Sequence, residues 1–307
     1  HHWNSKILTH EQDFFLKGGM QRGFFEHYPP KLLGIRKTEE EHYISTLSID
    51  QDGFSLKTIN LRLAFDALGN PYFIDQLGES LDHFQKTRKG NCSFYYSPKT
   101  QQSDHLEQKT IEFNQKMANF FNVPPKNVKI LSFKNIRDYC DALGYEYSPI
   151  LTYDGQTGGI AMPSENIILC ANNSPYYPHE LVHLYSKAYP AHYWFDEGLA
   201  TYFGGSVEYP LEHHLKKVAK AMDSLDFTIL PKQEKLDDDT NTKYSLGGLF
   251  CKLALEEYGG KEALLKLMNS GTTEEDFHRA LEEVFGIKRE EQSDFIREKL
   301  TPYLSKK

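Results

Sequence analysis

The sequence predicts an α+β chain, with a small β-rich domain over residues 1–90 and a larger mixed domain over 91–307. Three observations predict it. Short runs rich in β-branched and aromatic residues come first, at Tyr43 to Ile49, Phe54 to Ala64 and Tyr72 to Gln76. The turn signals Asp52-Gly53 and Gly69-Asn70-Pro71 separate them, which reads as a small antiparallel sheet. From Cys92 onward, apolar strand-like runs alternate with segments of helical spacing, and the final third is helical throughout.

Residues 4–26 read as helical at first, with Phe14, Phe15 and Leu16 followed by the breaker Gly18-Gly19. The polar stretch from Gln85 to Asn91 marks the expected boundary. Ser93 to Ser97 is the next strand, and Leu106, Ile111, Met117, Phe120 and Phe121 give 101–121 a helical face that Pro124-Pro125 ends. Val128 to Phe133 is a strand, Arg137 to Leu143 a short helix with Gly144 as its cap, and Asn166 to Cys170 a further strand. The glycine-rich turn Thr157-Gly158-Gly159 lies between them. After Gly205 come a helix at 210–224 with a charged face, an acidic loop from Gln233 to Lys243, and a helix from Ser245 to Tyr258. Thr272-Thr273-Glu274-Glu275 reads as a capping-box start for a helix to Gly286, and 288–304 as a last amphipathic segment.

Composition excludes several classes of function. The chain has 43 acidic against 35 basic residues, a formal charge of −8, so it lacks the basic balance that phosphate-backbone binding needs. No apolar run approaches the ~20 residues of a membrane span. His1-His2 reads as a tag remnant with no signal-peptide pattern after it, and an extracytoplasmic location would require a trimmed leader. Cys92, Cys140, Cys170 and Cys251 form no C-x-x-C pair, which leaves free buried thiols or two disulfides, thiols being favoured.

The chemistry is concentrated in Pro178-His179-Glu180-Leu181-Val182-His183 and, further on, Trp194-Phe195-Asp196-Glu197-Gly198-Leu199-Ala200. Pro178 suits the first position of a helix, where its missing N–H costs nothing. His179 and His183, four apart, then lie on one face and can offer two imidazole nitrogens to one Zn²⁺. Glu180 sits about 100° round the same turn, near the ion without ligating it, which suits a base for its water. An H-E-x-x-H arises by accident in roughly 4% of chains of this composition, so the motif needs support. Glu197, fourteen positions after His183 and beyond the Pro190 break, can supply a third ligand.

At these residues the chain resembles the gluzincin branch of zinc metallopeptidases, most of all the peptidase MA-like group. The resemblance implies a zincin-like catalytic domain with one zinc held by His179, His183 and Glu197, and Glu180 as general base. It covers about residues 92–300, strongly at the two motifs and loosely elsewhere. The metzincin pattern does not fit, because its third histidine would fall on Tyr189. M1-like aminopeptidases carry an acidic residue seven positions after the glutamate ligand, where this chain has Gly204. Gly158 to Asn166 is faintly similar to the G-A-M-E-N element of those enzymes. Two residues are inserted before Glu165, which reads first as an exposed turn acid and second as an amine anchor.

Gluzincins also supply a tyrosine or histidine to the oxyanion, and Tyr244, in Tyr-Ser-Leu-Gly-Gly-Leu-Phe, is the expected donor, with Tyr202 and Tyr209 as reserves. His192 reads as loop or cleft wall, His213-His214 as exposed, and Asp237-Asp238-Asp239 as a solvated loop without calcium-loop spacing. The expected function is hydrolysis of a peptide or protein substrate by zinc-activated water. The alternative is a zinc-binding, catalytically weak module that binds peptides, against which the intact Glu180 argues.

Overall fold

The computed structural model describes residues 31–38, 42–51, 54–73, 76–147, 158–230, 232 and 235–304. The expected helix at 4–26 and the turns at Asp52-Gly53 and Thr157 fall outside them. The described fold is mixed α and β, with a β-rich N-terminal region and a helical C-terminal half.

The first sheet is antiparallel throughout. Its strands β1 (Lys31–Lys37), β2 (Tyr43–Gln51), β3 (Phe54–Phe65) and β4 (Pro71–Phe73) lie in chain order, and a later strand, β8 (Tyr145–Tyr147), pairs with β3 as well. The turn before β4 is built by Asp66, whose Oδ1 accepts from the amides of Leu68 and Asn70, while Gly69 takes φ +80°. Gln76, read as the end of a strand, instead opens a short helix, α1 (Gln76–Asp82). Strand β1 was not expected, and every residue of it is exposed.

The second sheet is mixed and has five strands among the described residues. The polar stretch read as a boundary is β5 (Gln85–Lys89), which forms a hairpin with β6 (Cys92–Tyr96). Helix α2 (Asp104–Phe121) crosses from β6 to the parallel β7 (Val128–Ser132). Ser103 caps its start, and Asn122, at φ 56°, ends it. Helix α3 (Ile136–Leu143) stops at Gly144, left-handed at φ 79° as its sequence position predicts. The hairpin of β9 (Gly159–Met162) and β10 (Ile167–Cys170) completes the sheet, with β10 parallel to β7 and β9 on the outer edge.

A second hydrophobic cluster around Phe133, Tyr139, Tyr145 and Leu169 joins the two sheets across α3. The main core lies between the other face of the second sheet and the helices. All four cysteines are buried, and none of them forms a disulfide.

The helical half contains α4 (Pro178–Ser186), α5 (Tyr193–Gly204), α6 (Leu211–Ala221), α7 (Thr242–Glu256), α8 (Lys261–Met268), α9 (Glu274–Phe285) and α10 (Gln292–Leu300). Helix α7 begins three residues earlier than expected because the Asn241 side chain caps it through the amide of Lys243. Helix α9 has a capping box, formed by Thr273 with Asp276. Helices α5 and α7 touch backbone to backbone. A Cβ on Gly198 would lie 2.1 Å from the Gly247 carbonyl carbon, and one on Gly247 would lie 1.9 Å from the Trp194 oxygen.

Candidate functional site

Helix α4 presents both motif histidines on one side, and the N-terminal half of α5 brings Glu197 against them. His179 is 9% exposed. Its Nδ1 lies 2.6 Å from the carbonyl oxygen of Gly205, which can only accept, so Nδ1 carries the proton and Nε2 keeps its lone pair. That Nε2 is 3.2 Å from Glu197 Oε2, and His183 Nε2 is 3.6 Å from the same oxygen. The two imidazole rings stand 5.1 Å apart at 71°. His183 faces Asp196 Oδ2 at 3.4 Å through Nδ1, and the Ser186 hydroxyl holds the other oxygen of Asp196. Each histidine is thus oriented from behind, one by a backbone carbonyl and one by a carboxylate.

The electrostatics follow from this crowding. Burial pushes the Glu197 carboxyl up, but the His179 and His183 imidazoles packed against it outweigh that and hold the group at about 2. Burial disfavours a charged His183, yet Asp196 and then Glu197 raise it well above the ordinary imidazole range. A group of two imidazoles and two carboxylates packed this closely is ready for a cation.

Glu180 points to the opposite wall. Its Oε2 accepts from the amide of Ala161 at 2.9 Å, which ties α4 to the edge strand β9. Gly159 is glycine for a spatial reason: a Cβ there would stand 2.5 Å from the Tyr177 ring and 2.9 Å from Glu180 Cγ. The cleft that results measures about 470 Å³. Gly158 to Ala161 and Pro163 form one wall, and His179, Glu180, His183, Glu197 and Tyr244 line it elsewhere.

Tyr244 stands in the first turn of α7, its ring stacked on that of His179 at 5.9 Å and 20°. The Tyr193 hydroxyl donates to the Tyr244 oxygen at 3.0 Å. Burial, then the charge of Glu197, raises the Tyr244 phenol far above its usual range. The reserves are elsewhere. Tyr202 reaches Glu256 at 3.1 Å, and the Tyr209 ring stacks on His213 at 4.1 Å. Neither is among the residues lining the cleft.

Glu165 lies in the β9–β10 turn and is not among the cleft-lining residues either. His192 is neither loop surface nor ligand: it is the N-cap of α5, its Nδ1 accepting from the amide of Trp194 at 3.3 Å, buried against Phe277. The His213-His214 pair corrects the expectation of exposure, since His214 is 1% exposed. His213, one residue back on α6, is only partly covered, its ring 5.3 Å from that of His214. Asp237 and Asp239 are not merely solvated, because both pair with Lys217.

Sequence reasoning did not single out Asp196, Tyr193 or the Gly205 carbonyl. Asp196 carried a signal, its place beside the glutamate ligand candidate. The Gly205 carbonyl carried another, the Gly204-Gly205 pair itself. Gly205 has φ +77°, and a Cβ on Gly204 would come within 2.4 Å of the His179 amide nitrogen. A side chain at position 204 has no room in this packing.

No family model matches the chain, and no curated protein matches it. Among solved structures it is similar to the M1 zinc metallopeptidase from Deinococcus radiodurans, at 10% identity and a TM-score of 0.33, over 91% of this chain and 61% of that one. A mutant of that enzyme bound to a Tyr-Ser-Ala substrate gives 10% identity, a TM-score of 0.36 and the same coverage. The same mutant without substrate gives 11% and 0.37, over 91% of this chain and 62% of that chain. The chain therefore spans about 61% of the length of the enzyme it is likened to. At so low a TM-score the likeness carries no weight for the chemistry, which has to come from the residues of the cleft.

Proposed function

We propose that the chain is a zinc-dependent peptidase whose metal is held by His179, His183 and Glu197. One observation carries the reading. A tetrahedral Zn²⁺ at ~2.0–2.1 Å from its ligands needs donor atoms roughly 3.4 Å apart. The two imidazole nitrogens lie 3.2 and 3.6 Å from Glu197 Oε2, so the donor set fits the ion. All three donor atoms lie within 4.8 Å of one another. A structural site would be closed by four protein ligands, whereas three leave a position for reactants. When bound, zinc supplies a Lewis acid that polarises a carbonyl and acidifies water.

The remaining roles belong to side chains and backbone. Glu180, held by Ala161 through one oxygen, has its other oxygen available to take a proton from the attacking water. As the water oxygen bonds to the scissile carbon and the C–N bond breaks, Glu180 delivers that proton to the departing amine. Tyr244, kept protonated by its surroundings, donates to the developing oxyanion. Tyr193 supports the Tyr244 oxygen from the other side. Strand β9 is the outer strand of its sheet, and an extended substrate backbone can lie along it.

The test is digestion of a mixed peptide library by the chain, read by mass spectrometry. Cleavage that a chelator stops and zinc restores is the expected result. A zinc-loaded chain that cuts none of the peptides would overturn the reading.

A further inference from the structure

A second group of metal-ligating side chains stands outside the cleft, where the start of α6 meets the loop ahead of α7. His213, His214 and Asp239 each bring one donor atom, all within 4.8 Å of one another. We infer that these three residues form a second, weaker site for a divalent transition ion such as Zn²⁺, which ties the rim of the cleft to the loop that leads into the Tyr244 helix.

The tautomer of His214 is the first support. Its Nε2 lies 3.0 Å from the Ser206 carbonyl oxygen, an acceptor only, so the proton is on Nε2 and the lone pair on Nδ1. That Nδ1 faces the Thr240 hydroxyl at 3.1 Å, on the side of Asp239. The second support is His213, whose buried Nε2 has no hydrogen-bond partner and lies 3.6 Å from Asp239 Oδ2. A buried imidazole nitrogen left without a partner is costly, and an ion between it and the carboxylate removes that cost. Two imidazoles and one carboxylate are the donor set of Zn²⁺ and its neighbours rather than of Ca²⁺ or Mg²⁺.

One feature makes the site weaker than the first. Lys217 places a cation against Asp237 and against the other oxygen of Asp239, which opposes a second positive charge. The Thr240 hydroxyl and water remain to fill the coordination.

The consequence lies in what the ion would join. His214 holds Ser206, a residue of the cleft wall, and Ser206 pairs with Tyr209 on both backbone bonds. Val207 and Glu208 between them have φ of 46° and 69°, a tight turn that non-glycine residues rarely adopt. Asp239 stands two residues before Asn241, the cap of the helix on which Tyr244 lies. An ion at this cluster therefore fastens the strained rim turn to the base of the Tyr244 helix.

Equilibrium dialysis of the full chain against buffered zinc tests the inference. Two zinc ions per chain are expected, one tight and one weak. His213→Ala and Asp239→Asn should each remove the weak ion and keep the tight one, together with peptide hydrolysis. His179→Ala should do the reverse, so failure of the peptidase reading and failure of this inference show in different variants. Uptake of a single zinc by the unaltered chain overturns the second site. So does a second zinc that persists in both variants, because it must then be held elsewhere, as by His1-His2.

Discussion

Tyr244 and Asp196 are the residues on which the account is most exposed. Removing one oxyanion donor typically costs ~10²–10³ in kcat. Tyr244→Phe should therefore lower kcat on that scale with KM and zinc content little changed, as steady-state kinetics would show. A fall of less than about threefold would make Tyr244 a packing residue. Burial favours the protonated phenol, which makes Tyr244 a donor. The alkaline side of the pH–rate profile should then be the same in the Tyr244→Phe variant as in the unaltered chain. Asp196 acts through His183. Asp196→Asn keeps the shape but removes the charge behind the ring, and chelator competition should show zinc held about 10–100-fold more weakly. Unchanged affinity would reduce Asp196 to a partner of Ser186.

The contact between α5 and α7 explains how Glu197 and Tyr244 reach the same cleft. Gly198 follows Glu197, and Gly247 lies one turn beyond Tyr244, so the glycine pair sets the approach of both functional residues. Gly247→Ala would drive a methyl group into the Trp194 carbonyl, and backbone cannot move aside as a side chain can. Overpacking of that kind costs about 3 kcal/mol or more, which chemical denaturation would register as a lower midpoint. A midpoint unchanged by Gly247→Ala would show that the two helices are free to separate. The sequence made helices of this sort legible through periodicity and caps, as at Gly144 and Thr273. It did not disclose β1, β5 or β8. Strand β1 is exposed on both faces and β5 is Gln-Lys-Thr-Arg-Lys, so neither shows the apolar alternation that marks a half-buried strand. Three residues, as in β8, are too few for any period. The three donors that converge were each singled out from motif and spacing. The carbonyl and carboxylate behind the histidines were not, because tertiary contacts rather than local pattern place them there.

At the scale of the whole molecule, the cleft stands where the edge of the second sheet meets the helical half, and its three donors sit on α4 and α5, so metal should hold those two helices together. A ligand at 100 times its Kd adds about 2.7 kcal/mol to stability. Stripping zinc with a chelator should then lower Tm by roughly 5 °C, and calorimetry with and without zinc would read it. Glu197→Ala should lose most of that dependence, since two imidazoles alone make a poor site; a full zinc-dependent shift in that variant would remove Glu197 from the ligand set. The central claim, that this metal serves a reaction with Glu180 as its base, is tested most directly by one variant. In Glu180→Gln the amide preserves the shape but cannot take up the proton. Measured on the same sample, zinc content should match the unaltered chain while peptide hydrolysis falls by about 10²–10⁴-fold. Full zinc occupancy with hydrolysis at a near-normal rate would contradict the account.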